Sequence, residues 1–377
     1  MNKIVQPSIY LKYIYKIMGE IYLKKQLALI FQAATVFVGT IVGAGLASGQ
    51  EITQFFTTYG YKSFIGLLIC AIFYIFVSSM IVSISLRYNL NSYTELINLV
   101  SPGFLGKITD ILTSFFLVAG AAIILAGGGA LLKQYFGLPK YIGIILMAIV
   151  SLITLLRDTK GLIAINSFIV PSLSTIVIAV FTLYLIYYRD NMSLEFMKTV
   201  PVHKNMIIPY QWIISSFLYA GFNMLSCSGV LVPVSKEMKN KSMIILGLIL
   251  GSLLLTLLGF LINSMLLVNI PDIFKYEIPL LHVASKFGPL MQVLLLLVIW
   301  CEMFSTEVSD IYSVGKTLEQ KFNIPYKKAV VIILLIALPV SQIGFKNLIT
   351  YLYPGFGIIS LIFVVQTFIF YMKKCRK

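Results

Sequence analysis

Ten long apolar segments constrain this chain more than any other feature of its sequence. Each has roughly the 20 residues that an α-helix needs to cross a bilayer, where a helix satisfies its own backbone hydrogen bonds. The chain is 59% hydrophobic and 11% charged, and a soluble domain cannot cover that much apolar surface. The sequence therefore predicts an all-α polytopic membrane protein with ten transmembrane helices, spans 1 to 10. The spans cover about 27–59, 63–86, 108–132, 138–156, 161–188, 209–235, 242–268, 288–314, 327–345 and 348–372.

The basic residues lie in short segments between the spans, and they predict an orientation. With the N-terminus inside, 20 of the 29 Lys and Arg residues fall on inside-facing segments. This bias predicts that both termini are cytoplasmic in a multi-pass protein of the cell membrane. The expected organisation is a basic N-terminal arm (1–26), a ten-helix membrane domain (27–372) and a cytoplasmic tail (373–377).

Several classes of function are disfavoured. The net charge of +15 is spread between the spans with no long basic run, so the lipid bilayer is the expected partner and nucleic acid is not. The four cysteines show no metal-ligand spacing, and no nucleophile–base pair is visible. The chain is therefore expected not to be an enzyme and to have no cofactor. No obligate protein partner is evident.

Span 1 contains the most unusual stretch, "FVGTIVGAGLASGQEITQFF" (residues 37–56). A continuous helix over 27–59 would be about 50 Å long, against a hydrocarbon core of about 30 Å. Gly39, Gly43, Gly45 and Gly49 mark where unwinding costs least, and the Glu51 that follows needs a polar environment. The alternative is an unbroken helix with a GxxxG packing face.

Span 6 has a similar character in "FLYAGFNMLSCSGVLVPVSKE" (residues 217–237). Polar residues, glycines and Pro233 interrupt the apolar run, which predicts a second broken helix. The alternative is a kinked helix whose serines bond to its own carbonyls. Spans 1 and 6 are five apart and run in opposite directions, as in transporters built from inverted repeats. The repeats are expected at about 27–188 and 208–345, with span 10 (348–372) completing the second.

Breaks inside a membrane would expose backbone dipoles. N–H groups near residues 46–49 would attract an anionic group, and carbonyls near 40–43 and 220–223 would attract a cation. A solute that carries both charges, such as an amino acid, is complementary to this arrangement.

Span 8 carries the strongest intramembrane polarity, in "WCEMFSTEVSDIYS" (residues 300–313). At 100° per residue, Glu302, Thr306 and Ser309 lie along one line, with Asp310 beside it. Glu302 is near mid-depth with no basic residue at that level, so we expect it to face a cavity. Thr306 and Ser309 with span 1 carbonyls would suit Na⁺, whereas Glu302 or Glu51 would suit H⁺. Glu307 and Asp310 have the alternative of pairing with Lys316 or Arg157.

The run "GTIVGAGLASGQEITQFF" (residues 39–56) resembles the first-span signature of the YkvI-like bacterial membrane proteins. It is more distantly similar to the glycine motifs of permeases in the amino acid–polyamine–organocation superfamily. That resemblance implies a LeuT-type fold, a 5+5 inverted repeat with discontinuous helices 1 and 6. It also implies a cation site between span 1 (Val38, Ile41) and span 8 (Thr306, Ser309). The implied substrate site consists of Gly43, Ala44, Gly45, Ala47, Ser48, Phe222, Asn223 and Ser226.

The resemblance leaves the coupling ion open. Proton-coupled relatives can carry a lysine within span 5, and here Lys160 lies only at the edge of that span. The expected function is ion-coupled transport of a small organic solute, most simply an amino acid or related zwitterion, by alternating access. The alternative is a transporter-like sensor that binds a small ligand without moving it.

Overall fold

The computed structural model describes residues 9–157, 162–203 and 210–375, which form helices and no strand within those ranges. Short 3₁₀ helices at Thr57–Lys62 and Asp272–Lys275 extend two of the connections. The α-helices are α1 (Ile9–Ser48), α2 (Gln50–Phe55), α3 (Ser63–Tyr88), α4 (Tyr93–Val100), α5 (Phe104–Phe136), α6 (Lys140–Arg157), α7 (Leu162–Tyr187), α8 (Leu194–Thr199), α9 (Gln211–Met238), α10 (Lys241–Leu267), α11 (Pro279–Ser285), α12 (Pro289–Phe322), α13 (Tyr326–Ser341) and α14 (Phe345–Lys374).

Each predicted span corresponds to a long helix. Spans 1 to 10 are α1 with α2, then α3, α5, α6, α7, α9, α10, α12, α13 and α14. Within the described ranges, nine helices are long and apolar enough to cross a membrane. The helix of span 9, α13, has 16 residues and would reach about 24 Å. Helix α1 begins at Ile9, so residues 9–26, predicted as an arm, continue the first helix.

The connections after spans 2 and 7 each hold a short helix. Helix α4 begins after the N-cap Ser92, whose Oγ accepts a hydrogen bond from the Glu95 N–H (3.3 Å). The Glu95 carboxylate in turn accepts from the Asn91 N–H (2.8 Å), so two helix-end donors are satisfied reciprocally. Helix α11 occupies the equivalent place in the second half and has Pro279 in its first turn.

The helix contacts follow an inverted repeat. The first half holds spans 1 to 5 and the second half spans 6 to 10. The first helix of each half packs on the second helix of the other half: α1 contacts α10, and α9 contacts α3. The third helices of the two halves, α5 and α12, contact each other. The fifth helix of each half packs on the first helix of its own half, as α7 does on α1 and α14 on α9. Even the short helices agree, since α4 touches α9 and α11 touches α1. These reciprocal contacts define two interlocked halves of five spans each.

Glycines bring the helix backbones of neighbouring spans together. A Cβ at Gly143 of α6 would lie 2.5 Å from the Gly128 carbonyl oxygen of α5. A Cβ at Gly247 of α10 would lie 2.6 Å from the Cβ of Ala33 on α1. Only glycine leaves room for such close contacts. In lipid the hydrophobic effect does not drive helices together, so close packing of this kind stabilises their association instead.

Candidate functional site

The first span is broken, as the sequence predicted. Gly43 has φ 38° and ψ −179°, which no α-helix accommodates, and Gly49 has φ 79°. Both values lie in the region that glycine adopts at little cost. One helical turn, residues 44–48, separates the two glycines, and α2 continues the span from Gln50. The break therefore presents a short, separately oriented turn in the middle of the bundle.

The sixth span is not broken, and the prediction of an interruption there is wrong. Helix α9 is continuous from Gln211 to Met238 and contains Pro233. The polar side chains that suggested a break are satisfied within the helix: Ser228 Oγ donates to the Leu225 carbonyl (2.6 Å) and Asn223 Nδ2 to the Tyr219 carbonyl (3.1 Å). The alternative of a proline-containing helix with back-bonded serines is therefore correct. Free carbonyls near residues 220–223 are not available to bind a cation.

Glu302 of α12 meets the break in span 1. Its carboxylate accepts a hydrogen bond from the Gly43 backbone N–H, while its Oε2 atom has no hydrogen-bond partner among the described residues. The side chain is 2% exposed. The ion pairs of the described chain are Lys140–Glu277, Lys275–Asp272 and Lys316–Glu319, none of which involves Glu302. A buried carboxylate without a basic partner thus contacts the point where the first span comes apart.

Glu51, the second residue of α2, folds back against the same break. Its carboxylate packs against Gly45 so closely that a Cβ added to this glycine would be only 2.0 Å from Glu51 Oε1. The hydroxyls of Tyr219 on α9 and Tyr353 on α14 face this carboxylate. Neither Glu51 Oε2 nor the Tyr219 hydroxyl makes a well-formed hydrogen bond within the described part of the chain, although the two groups lie close enough to interact with each other. Both groups therefore keep capacity for a further partner beside the turn 44–48.

The remaining residues implied as a substrate site lie on α1 and α9. Asn223 Nδ2 donates to the Tyr74 hydroxyl (3.0 Å), and the Phe222 ring packs on Tyr353 with centroids 4.6 Å apart. Ser48 is fully buried; its Oγ donates to the Gly45 carbonyl (2.9 Å). Ala44 and Ala47 are buried in the turn, and Ser226 is half-buried one turn further along α9.

The residues implied as a cation site are engaged as follows. Thr306 Oγ1 donates to the Glu302 carbonyl (3.0 Å) and Ser309 Oγ to the Ser305 carbonyl (2.9 Å), so both hydroxyl protons turn into α12 itself. Val38 and Ile41 are buried on α1, and Ile41 lines the crevice described below. An oxygen-lined Na⁺ site between the two helices remains a prediction.

Two further acids lie on α12 one and two turns beyond Glu302, of which Glu307 is buried and Asp310 half-buried. Glu307 is fully buried, and neither of its carboxylate oxygens has a hydrogen-bond partner in the described chain. Asp310 lies against α5, where a Cβ at Gly120 would be 2.8 Å from its Oδ2. Tyr353 is close enough to interact electrostatically with both Glu51 and Asp310. Lys316, the candidate partner for these acids, instead bonds Glu319 at 2.7 Å.

The break borders a narrow crevice between α1, α3, α9 and α10. Its volume of about 10 Å³ is enough for about one water molecule. A solute of amino-acid size does not fit, so the helices have to separate before such a solute can enter from this side. The lining residues are Ile41, Leu46, Ile52, Leu67, Cys70, Tyr74, Tyr219, Leu255, Thr256 and Gly259.

Tyr219 and Tyr353 are the site residues that the sequence analysis missed. Tyr219 precedes Asn223 by one helical turn, and Tyr353 directly precedes Pro354 in "TYLYPGFG". Neither position by itself points to Glu51. Within the described residues, no group of three or more His, Cys, Asp or Glu side chains is placed to share a metal ion.

The architecture is that of solved transporters of the LeuT-type fold. A mutant manganese transporter of Eremococcus coleocola aligns with a TM-score of 0.65 and 16% identity over 92% of this chain and 79% of that chain. The inward-facing conformation of Mhp1 gives 0.58 and 14% over 92% and 76%. A substrate-bound, outward-open Na⁺-coupled sialic acid symporter gives 0.62 and 14% over 90% and 78%. This chain therefore has the fold of a LeuT-type secondary transporter.

Sequence comparison places the chain in a family. It is 30% identical over 333 residues to the uncharacterized membrane protein YkvI of Bacillus subtilis (strain 168), covering 88% of this chain and 93% of YkvI. It is 28% identical over 330 residues to the uncharacterized protein YyaD of the same organism, again covering 88% and 93%. No protein-family model matches the chain. The chain belongs to the YkvI family of multi-pass membrane proteins.

Proposed function

We propose that the chain is an ion-coupled secondary transporter of a small organic solute that carries an ammonium group, most simply an amino acid or related zwitterion. The break at Gly43 is the observation that carries this proposal. It places two buried carboxylates, Glu302 and Glu51, beside an interrupted helix with no lysine or arginine paired to either in the described residues. A charged site of this kind inside a membrane is costly unless it binds a cation or a proton.

The surroundings of Glu51 suit an ammonium group. The carboxylate supplies the opposite charge, and the Tyr219 hydroxyl beside it supplies a further oxygen. The rings of Phe222 and Phe55 lie around Tyr219, with centroids 5.5 and 5.4 Å from its own. Aromatic faces stabilise a desolvated cation by about 2 kcal/mol in favourable geometry. The carboxylate of a zwitterion would bind backbone N–H groups at the start of the turn 44–48, just after the break at Gly43. The Gly49 N–H is not available, because it donates to the Leu46 carbonyl (3.0 Å).

The contacts group most of the spans into two sets, which in this proposal move against each other. Helices α1, α3, α9 and α10 pack together as one group, and α5, α6, α12 and α13 as a second. Alternating access would then be a rocking of the first group on the second, with the break at their boundary. The coupling ion is Na⁺ or H⁺, and both termini are cytoplasmic.

Uptake into proteoliposomes tests the proposal. The purified full-length chain would be reconstituted and supplied with a mixture of radiolabelled amino acids under an imposed Na⁺ gradient or pH gradient. We expect accumulation that follows one of the gradients and is lost on its collapse. Saturable binding in thermal-shift assays, without accumulation under any gradient, would instead identify a sensor.

Glu302→Gln tests the role of the site. It preserves the shape of the side chain and removes the charge, so we expect gradient-driven uptake to be lost. Glu319→Gln makes the same chemical change on the same helix, at a half-exposed residue paired with Lys316, and should leave uptake unchanged. Wild-type uptake by the Glu302→Gln variant would remove this residue from the ion pathway.

A further inference from the structure

A basic pocket opens at the end of the bundle where α3, α9 and α14 finish. It has a volume of about 660 Å³, within the range of small-molecule sites in proteins. The basic pocket is lined by Ser83, Ser85, Leu86, Arg87, Asn89, Lys236, Lys239, Lys241 and Cys375. It is remote from the break at Gly43, because Tyr74 of α3 lines the crevice at the break and Arg87, which lines the basic pocket, lies 13 residues (about 20 Å) further along that helix.

In the described part of the chain, no acid forms a direct ion pair with the cations of the basic pocket. Four of its lining residues are cationic and none is acidic. Among the described residues, no carboxylate lies within 4.0 Å of the nitrogens of Arg87, Lys239 or Lys241. Glu237 is on the same turn of α9 as Lys236 but does not line the pocket. Like charges held around one concavity attract counter-ions strongly.

The local backbone holds these cations in place. Asn89 and Lys239 both have positive φ, 52° and 55°, and end α3 and α9 in the left-handed conformation. Lys236 Nζ donates to Asn91 Oδ1, and Asn91 is itself held by the Glu95 carboxylate. Ser85 Oγ donates to the Val232 carbonyl (3.2 Å) and ties α3 to α9 beneath the pocket. The walls of the basic pocket are thus fixed by hydrogen bonds to neutral groups, which leave its cations without a direct ion pair in the described chain.

From this geometry we propose that the basic pocket binds a phosphate-bearing anion. A phosphate group fits because it offers several acceptor oxygens to Lys and Arg donors and its charge balances more than one of them. The group can come from an anionic phospholipid headgroup, because the pocket lies at a helix end where basic residues meet lipid headgroups, or from a free phosphate in solution. Bound there, the anion would bridge α3, α9 and α10 and stabilise that group of helices.

Thermal unfolding of the full-length protein in neutral detergent tests this site without requiring transport. The probes are inorganic phosphate, a short-chain phosphatidylglycerol and a short-chain phosphatidylcholine, all at one ionic strength set with chloride. We expect a saturable rise in Tm with phosphatidylglycerol, phosphate or both, and none with phosphatidylcholine. A response to phosphatidylglycerol alone assigns the site to a lipid headgroup, and a response to phosphate shows that the free anion suffices.

The paired substitution Lys239→Gln with Lys241→Gln should weaken anion binding about twenty-five-fold, because each lysine near an anionic group contributes roughly a fivefold change. The control is Lys62→Gln with Lys133→Gln, which removes the same amount of charge. Lys62 immediately precedes α3 and Lys133 is in the last turn of α5, so both lie at the end of the bundle away from the basic pocket, and binding should be unchanged. Arg87→Gln provides a second variant in case the first does not fold. The proposal is overturned if no anion raises Tm above the chloride control. It is also overturned if the rise persists in both pocket variants or is equally lost in the control.

Discussion

Gly45→Ala is a single-methyl substitution whose consequence can be worked out from the coordinates. The added methyl would lie 2.0 Å from Glu51 Oε1 and 2.2 Å from its Cδ. Ordinary contact begins at 3.4 Å, so the carboxylate has to move by at least 1.4 Å, the difference between 3.4 and 2.0 Å. Tyr219 and Tyr353 face the same carboxylate, which restricts where it can go.

The expected sign follows from two opposing terms. Overpacking of a buried site costs about 1–3 kcal/mol of the free energy of unfolding. Replacing a helical glycine by alanine returns up to about 1 kcal/mol, through lower backbone entropy in the unfolded chain. We therefore expect Gly45→Ala to lower the midpoint of thermal unfolding in detergent and to abolish gradient-driven uptake.

The Glu51→Ala background isolates the cause. With the carboxylate absent the clash disappears, and Gly45→Ala should become neutral or stabilising, which a double-mutant cycle measures as a coupling between the two sites. Gly355→Ala is the matched control, because its Cβ would meet nothing within 4 Å. If Gly45→Ala destabilised the protein equally with and without Glu51, the contact between these residues would not be the reason for the glycine.

Three further predictions concern the rest of the chain. Gly143→Ala should cost about 1–3 kcal/mol, because its Cβ would meet the Gly128 carbonyl at 2.5 Å; an unchanged unfolding midpoint would refute the close approach of α5 and α6. Ser92→Ala should cost about 1 kcal/mol through loss of the cap on the Glu95 N–H, and Ser92→Asp should restore it in the same unfolding assay. Cys375, half-buried at the end of α14, should react with a membrane-impermeant maleimide in inverted vesicles and not in intact cells; the reverse pattern would overturn the predicted orientation.

The ten helices were predictable because a bilayer demands long apolar segments, and hydropathy records them directly. The break at Gly43 was predictable for a second reason: span 1 is too long for one crossing and its glycines are clustered. Span 6 misled because asparagine, serine and proline are equally compatible with a break and with a helix that satisfies them internally. In α9 the hydrogen bonds of Asn223 and Ser228 decided the outcome.

The partners of Glu51 were beyond reach of the sequence. Tyr219 and Tyr353 are two of 22 tyrosines, most of them at helix ends or along spans, and nothing in their local sequence connects them to Glu51. Their convergence depends on how α9 and α14 pack beside α2, which is long-range information. The closeness of Glu302 to Gly43 is similar: its depth in span 8 was readable, but the helix it would meet was not.

The exchange of partners between the two halves has a consequence for how the protein is made. Helix α1 leaves the ribosome long before α10, its largest contact, and α3 before α9. Because synthesis proceeds from the N-terminus, the first five helices have to wait in the membrane with these surfaces against lipid until the second five arrive. Small residues such as Ala33 of α1 are suited to that interval, since lipid covers them as readily as a neighbouring helix does. Assembly between the two halves is thus a late event, which begins with the sixth and seventh crossings and ends with the tenth.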